Sequence, residues 1–433
     1  MVPISSDPVR LFSRRTFIKA GAALSALPLL GQTGTPLSGG SDRLKVGVIG
    51  CGGRGIGAMR NCIDADPSVQ LYALGDLFPD RVDAAYKALT EGDNRNPALP
   101  KERFALSRER CFSGFDAFQS VIRSGVDLVI LAAPPHFRPQ HLEAAVQQGV
   151  HVFAEKPVAV DAVGARKVIQ IGELAEQKRL AIVAGTQRRH AANYLETMAR
   201  IADGAIGEIA SGQCYWLQEG LWHRGREANW SEMEYQVRNW LYFTWLSGDH
   251  IVEQHVHNID VINWALGGPP VKALGMGGRQ SRTDPKYGDA WDHFSVEFEY
   301  ANGVRVQSLC RQAPGCSHRI GERLVGTKGM ADPAGTITGE KSWKFSGDVR
   351  DPMVQEHVDL IRSIRDGRPI NHARRIAEST LTALLGRMSA YSGREVSYRW
   401  LLNTSSLDLT PPAYAFGAAP EVSPAIPGQT PLV

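Results

Sequence analysis

Three residues of this 433-residue chain combine in a way that could move a proton and steady a charge: Lys156, Glu253 and His257. Glu253 and His257 stand four apart in the stretch Gly248 to Asp260. Its Ile251, Val252 and Ile259, followed by Val261 and Ile262, have helical spacing, so acid and imidazole share one helix face, with His250 a turn before Glu253. An acid beside an imidazole is what a proton shuttle needs: the acid orients and charges the ring, and the ring exchanges a hydroxyl proton. A purely structural pair is the competing reading. A metal reading of His250, Glu253, His255 and His257 lacks His-Glu-x-x-His, and His255 points off the shared face, so no metal is expected. Lys156 follows the short apolar run His151 to Ala154 and is placed at a strand end, where its ammonium could polarise a substrate oxygen. A solvated loop lysine is the alternative. Glu155 suits positioning of a cofactor or of Lys156, and Pro157 biases Lys156 towards extended backbone.

A second pattern supplies something for these groups to act on. Val46, Val48 and Ile49 form an uncharged run that reads as a buried strand, and it breaks at Gly50-Cys51-Gly52-Gly53-Arg54-Gly55, which fits Gly-x-Gly-x-x-Gly. The first glycine permits a tight turn, the second lets backbone approach a pyrophosphate, and the third lets helix and strand pack closely. Phosphates then sit at the N-terminus of the helix that continues through Ile56 to Ile63. A further strand, Gln70 to Gly75, ends at Asp76, where a carboxylate meets the adenosine ribose. Dinucleotide binding follows, and Asp76 favours NAD over NADP because a carboxylate repels a 2′-phosphate.

The elements that position these groups alternate. From Asp42 to about Asp161 strands and helices follow one another, with buried runs at Val126–Ala133 and His151–Ala154 ending at Pro134-Pro135-His136 and Glu155-Lys156. Repeated β-α-β order implies a parallel, doubly wound sheet with ligands at the carboxyl ends of its strands, on the same edge as the glycine turn. That places Pro135, His136, Glu155 and Lys156 beside the cofactor. A further strand, Leu180–Gly185, ends before Arg188-Arg189-His190, where substrate contact and plain surface charge are both open. Of the aromatics between Trp216 and Trp245, core packing explains most, while Trp216, Trp222 or Tyr242 would suit stacking on sugar faces.

Composition narrows the class. The chain has 43% hydrophobic and 21% charged residues and a formal net charge of +3, with no dense Lys/Arg block in the folded part, so nucleic-acid binding is not expected. Six scattered cysteines without Cys-x-x-Cys spacing imply neither zinc nor a disulfide framework, and pairing of Cys310 with Cys316 is left open.

The glycine turn, the Ala132-Ala133-Pro134-Pro135-His136 turn and Ala154-Glu155-Lys156-Pro157-Val158-Ala159 resemble the Gfo/Idh/MocA family, named for glucose–fructose oxidoreductase, inositol dehydrogenase and rhizopine catabolism. The likeness covers roughly residues 43–402. It implies an N-terminal Rossmann domain, a C-terminal α/β domain with a large, mainly antiparallel open sheet, and oxidation or reduction of sugar and cyclitol hydroxyls with NAD(P). His257-Asn258-Ile259-Asp260 matches the family's His-x-x-Asp, so the resemblance gives His257 the role of acid/base. Many members have Asp four residues before that histidine. Glu253 departs from this, which puts the acid's substrate contact in question. Subunit pairing through the sheet's exposed face is also implied.

The ends complete the organisation. Ser13-Arg14-Arg15-Thr16-Phe17-Ile18-Lys19 before the apolar stretch Ala20–Leu30 resembles a twin-arginine export signal, too short for a stable bilayer span and without a lipoprotein cysteine. Residues 1–42 are thus expected to be signal and linker, 43–161 the NAD domain, 162–408 the substrate and oligomerisation domain, and 409–433 a Pro/Ala-rich extended or disordered tail. Export through the twin-arginine machinery to the periplasm implies a tightly held cofactor that is reset in place. The expected activity is hydride transfer between a sugar, cyclitol or glycoside hydroxyl and bound NAD. An NAD-dependent glycoside hydrolase that oxidises, eliminates and reduces in one redox-neutral cycle, and a non-catalytic sugar-binding protein, are the alternatives.

Overall fold

A computed structural model describes residues 43–94 and 96–433; residues 1–42, which carry the expected export signal and linker, lie outside them. The first sheet comprises β1 (Leu44–Ile49), β2 (Val69–Asp76), β3 (Cys111–Ser113), β4 (Leu128–Leu131), β5 (His151–Ala154) and β6 (Ile182–Ala184). Its order is β3-β2-β1-β4-β5-β6 and every pair is parallel. Strands covered on both faces must be apolar throughout, which is why the interior runs of β1 and β4 carry no charge. The order reverses between β2 and β4, on either side of β1, and a crevice opens there at the carboxyl ends. Helix α1 (Gly53–Ala65) leaves β1 at that crevice.

Helix α2 (Ala162–Gln177) and β6 belong to this same sheet layer, so the boundary expected at residue 161 falls inside it. The Leu180–Gly185 run finds its parallel partner in β5, and pairing is a tertiary fact that the strand's own sequence does not carry. The outer side of β6 is covered in turn: Ile182 N–H donates to the Ile370 carbonyl and His372 N–H to the Ile182 carbonyl, both at 2.8 Å. Leu360 and Ile361 pack into the β1–β4 core with Val46 and Phe153.

The second sheet holds β7 (Ile209–Gln218), β8 (Lys272–Gly278), β9 (His293–Glu299), β10 (Arg305–Gln312), β11 (Arg319–Gly326), β12 (Gly329–Asp332), β13 (Thr336–Gly339), β14 (Trp343–Lys344) and β15 (Val396–Ser397). Its order is β14-β13-β12-β11-β7-β10-β9-β8-β15, antiparallel except where β7 and β10 run parallel. The strands alternate, as a sheet with one covered face must: Phe294, Val296 and Phe298 of β9 are buried and the residues between them are not. Each such side chain is worth roughly 1.5–3 kcal/mol. Helices α3 (Glu232–Arg238), α4 (His250–Glu253), α5 (Val256–Leu266), α6 (Pro352–Arg365) and α7 (Ala373–Ser392) complete the framework. Asp351 caps α6 by accepting from Met353 N–H at 2.9 Å, and Gly393 ends α7 in the left-handed region at φ 69°.

Residues 409–433 are extended, as expected, but they are packed. Leu409 N–H donates to Asp161 (2.8 Å), Met233 N–H to the Gly417 carbonyl (3.1 Å), and Gly428 N–H to the Ser392 carbonyl (3.0 Å). The prolines prevent a ladder, while Leu409, Tyr414 and Val422 bury against the cluster of Phe78, Phe137, Tyr242 and Trp245. All six cysteines are free. Among the described residues no helix is long and apolar enough to cross a membrane.

Candidate active site

The glycine turn has the geometry that its spacing requires. Gly50 sits at φ 97°, and a Cβ there would stand 2.3 Å from the Ala133 amide nitrogen; at Gly55 it would meet the Gly50 carbonyl oxygen at 1.9 Å. Gly52 and Gly53 are glycines for another reason. Nothing lies within 4 Å of where their Cβ would point, and both line a cavity of about 380 Å³. Helix α1 opens here with no side-chain cap and no acid in its first turn, so its leading amides are free for an anion. Asp76 lines the same cavity, its carboxylate accepting from Cys51 N–H (2.7 Å) and Phe78 N–H (3.0 Å). Burial pushes its pKa up, partly offset by those two N–H groups. Space above glycines, a bare helix N-terminus and an acid facing the same cavity fit a dinucleotide.

A second cavity of about 260 Å³ shares Arg54, Ala132, Ala133 and Trp240 with the first, so the two adjoin. Pro135, Glu155, Lys156, Glu253 and His257 all line it. The helix expected through Gly248–Asp260 is broken between α4 and α5, and at the break His255 turns inward, its Nε2 2.8 Å from Ser308 Oγ. Glu253 and His257 nonetheless face the same cavity. The Lys156 ammonium donates to the Glu253 carboxylate at 2.9 Å and to its backbone carbonyl at 2.5 Å. The acid therefore holds the lysine, where the sequence pairing had it orienting the imidazole.

His257 is kept neutral: burial, then the positive charges of Lys156, Arg188 and Arg54, hold its pKa well below the ordinary imidazole value. Its ring stacks on Trp216 with centroids 5.7 Å apart and planes 18° from parallel. Asp260 accepts from Arg189 (2.7 and 3.0 Å) and Ser379 (2.7 Å), which fastens α5 in place. The arrangement offers a fixed ammonium and a neutral base in one cavity.

Other expected residues are sorted differently. Arg188 is tied to Glu322 at 2.5 Å and lies 5.9 Å over the Trp216 ring, beside the cavity but already paired. Tyr242 is 1% exposed, so it cannot stack on a sugar; its hydroxyl lies 2.9 Å from the carbonyls of Leu221 and Trp222. Trp222 lines the glycine-turn cavity with Asp76, not the one holding Lys156. His136 turns to Tyr414, with 2.8 Å between Nε2 and the hydroxyl, and packs edge-on to Trp245 instead of facing a cofactor. Burial lowers its pKa to about 4. Glu155 binds Arg54 of the glycine turn, which links the two motifs directly.

Glu356, on α6, was missed. It is fully buried, lines the cavity of Lys156 and His257, and neither carboxyl oxygen has a hydrogen-bond partner; Arg54 Nη2 stands 3.6 Å away. Glu356, His357, Leu360 and Ile361 share the buried stripe of an amphipathic helix, and an acid on that stripe was the available signal. Burial, then Glu155, raises its pKa well above the ordinary carboxyl value. A carboxyl raised in the fold favours the folded state below its unfolded pKa of about 4.3 and loses that advantage as pH climbs towards the folded value. Glu356→Gln is therefore expected to raise Tm at pH 8 by roughly 2 °C or more, with the gain gone at pH 4. Thermal melts at both values check this, and a lower Tm at pH 8 would sink it.

Two family models match the chain. The Gfo/Idh/MocA model described as an oxidoreductase family with an NAD-binding Rossmann fold matches residues 44–185, and the Gfo/Idh/MocA C-terminal domain model matches 194–332. An inositol 2-dehydrogenase from Rubrobacter xylanophilus is 27% identical over 297 residues, which is 68% of this chain and 72% of that protein. A glycosyl hydrolase family 109 protein from Shewanella pealeana is 24% identical over 326 residues, 70% of this chain and 67% of that one. The scyllo-inositol dehydrogenase of Lactobacillus casei, solved with NAD(H) and scyllo-inositol, superposes with a TM-score of 0.61 at 19% identity, covering 82% of this chain and 99% of that one.

Proposed function

We propose, from the premise that this chain belongs to the Gfo/Idh/MocA family of oxidoreductases, that it moves a hydride between a hydroxyl-bearing carbon of a sugar, cyclitol or glycoside and a tightly held NAD. The observation that carries this reading is the meeting of Lys156 and neutral His257 in a cavity that adjoins the glycine-turn groove. NAD, when bound, supplies the hydride acceptor. The Lys156 ammonium stabilises charge developing on the substrate oxygen, and Glu253 fixes that ammonium from below. His257 takes the hydroxyl proton in oxidation and returns it in reduction. Trp216 stacks on His257 from outside the cavity lining and so helps to orient its ring. Export by a twin-arginine signal and pairing through the second sheet, where Leu274, Met276 and Ile320 are exposed, belong to the same reading.

A second reading has its own support. Redox-neutral cleavage of a glycosidic bond needs a further proton-carrying group for the leaving oxygen, and Glu356, whose pKa burial and Glu155 raise, lines the same cavity. The likeness to a glycosyl hydrolase family 109 protein points the same way. The test is the reduced-nicotinamide absorbance of the purified protein, before and after adding a panel of sugars and glycosides. A band that changes with one sugar supports the oxidoreductase. Free sugar released from a glycoside with no net change in the band selects the second reading. No bound nicotinamide and no uptake of added NAD would overturn both.

A further inference from the structure

The adenosine half of the groove is closed by parts of the chain that no dinucleotide motif includes. The loop 219–231, between β7 and α3, brings Trp222 and Arg224 into the cavity that Gly52 and Asp76 line from the other side. The loop has no helix or strand, yet it is pinned. Arg224 N–H donates to the Asn239 side-chain oxygen at 2.8 Å, the Asn239 amide donates back to the Arg224 carbonyl at 3.2 Å, and Asn239 is fully buried. The Tyr242 hydroxyl holds the Leu221 and Trp222 carbonyls. With its backbone fixed this way, Trp222 is still 43% exposed, with the Arg224 guanidinium 5.4 Å over its ring, beside an acid and a phosphate cradle.

The opposite wall is fastened from the chain's end. Phe78 and Phe115 line the cavity, and Phe416 packs on both, with ring centroids 6.1 and 5.4 Å away. Next to it the Gly417 carbonyl accepts from Met233 and the Pro420 carbonyl from Gln236, both on α3. Residues 409–420 thus tie the wall after β2 to the helix that follows loop 219–231. The loop lines the groove directly, while the strap stands behind it, backing the wall residues Phe78 and Phe115 through Phe416.

We propose that loop 219–231 and strap 409–420 form a clamp in which Trp222 stacks on the adenine ring of the bound dinucleotide and the strap keeps the clamp shut, so that cofactor exchange is slow. This rests on the NAD reading above. It assigns slow exchange to residues outside the glycine turn, and it turns Trp222 from a sugar platform into a cofactor residue.

The experiment loads the full chain with NADH, chases with excess NAD, and follows loss of bound-NADH fluorescence. Trp222→Ala is expected to speed release about 10-fold or more, the usual worth of one base–aromatic stack, while Trp222→Phe stays near the parent rate. Phe416→Ala and a chain ending at Thr410 are expected to speed release by a similar factor. Circular dichroism checks that each variant is folded, and Phe416→Ala keeps the test open if the shortened chain is not. Release at the parent rate from both Trp222→Ala and Phe416→Ala would overturn the clamp while leaving the NAD reading intact. A parent protein that takes up no NADH would overturn that reading and the clamp with it.

Discussion

Lys156→Met is expected to slow hydride transfer by about 10³-fold while NADH affinity stays within about threefold, because the ammonium acts on charge that develops only as the substrate oxygen loses its proton. Single-turnover absorbance changes with a substrate found in the panel above, beside an NADH titration, measure the two quantities. The variant also carries a signature that lost packing would not give. Lys156 is one of the charges holding the His257 pKa down, so its removal raises that pKa. The acid limb of the pH–rate profile should then lie at higher pH in the variant than in the parent, with burial, Arg188 and Arg54 still holding the imidazole low. The paired change Lys156→Met with Glu253→Gln separates loss of the ammonium from the cost of leaving a carboxylate unpaired. A single variant working within tenfold of the parent rate would remove Lys156 from the reaction.

The second large effect lies at the glycine turn, and there the two kinds of glycine should part. Gly52→Val places its branch in open space that a pyrophosphate must enter, so cofactor affinity is expected to fall at least about 100-fold with Tm nearly unchanged. Gly55→Val drives the new carbon into the Gly50 carbonyl and should lower Tm as well as abolish binding. Melting curves and NADH titrations on the pair check this. If Gly52→Val bound NADH like the parent, the groove would not be the phosphate site.

How far the sequence led depended on whether a residue's meaning was local. The glycine turn, Asp76 and the Glu155-Lys156 strand end were legible because backbone geometry demands those residue types at those offsets. Lys156, read from its strand end, and His257, read from helix spacing and the His-x-x-Asp resemblance, line one cavity. The aromatics were not legible: Trp216, Trp222 and Tyr242 have the same sequence character, and only tertiary position makes one a neighbour of His257, one a wall of the adenosine cavity, and one a buried loop anchor. Glu253 was read against the wrong partner because helix spacing reports neighbours within a helix, whereas Lys156 arrives from 97 residues away. The Pro-rich composition of the last residues described their extended backbone well. It could not show that Phe416 and Tyr414 have a surface waiting for them.

The cover over β6 has a bearing on how this protein comes to exist. A parallel sheet normally ends in a strand with one row of unpaired amides and carbonyls, and such a row invites other chains. Here that row is met by residues 370–372, and the adjoining core receives Leu360 and Ile361 from the same late segment. A chain stopped after Gly185 would hold every motif of a nucleotide-binding domain and still present an open, sticky edge. During synthesis that edge stays bare until some 190 more residues have been made, a long interval in which aggregation competes with folding. The boundary that divides the two domains by resemblance is therefore not one at which the molecule can be cut, and the two sheets should melt as one cooperative unit.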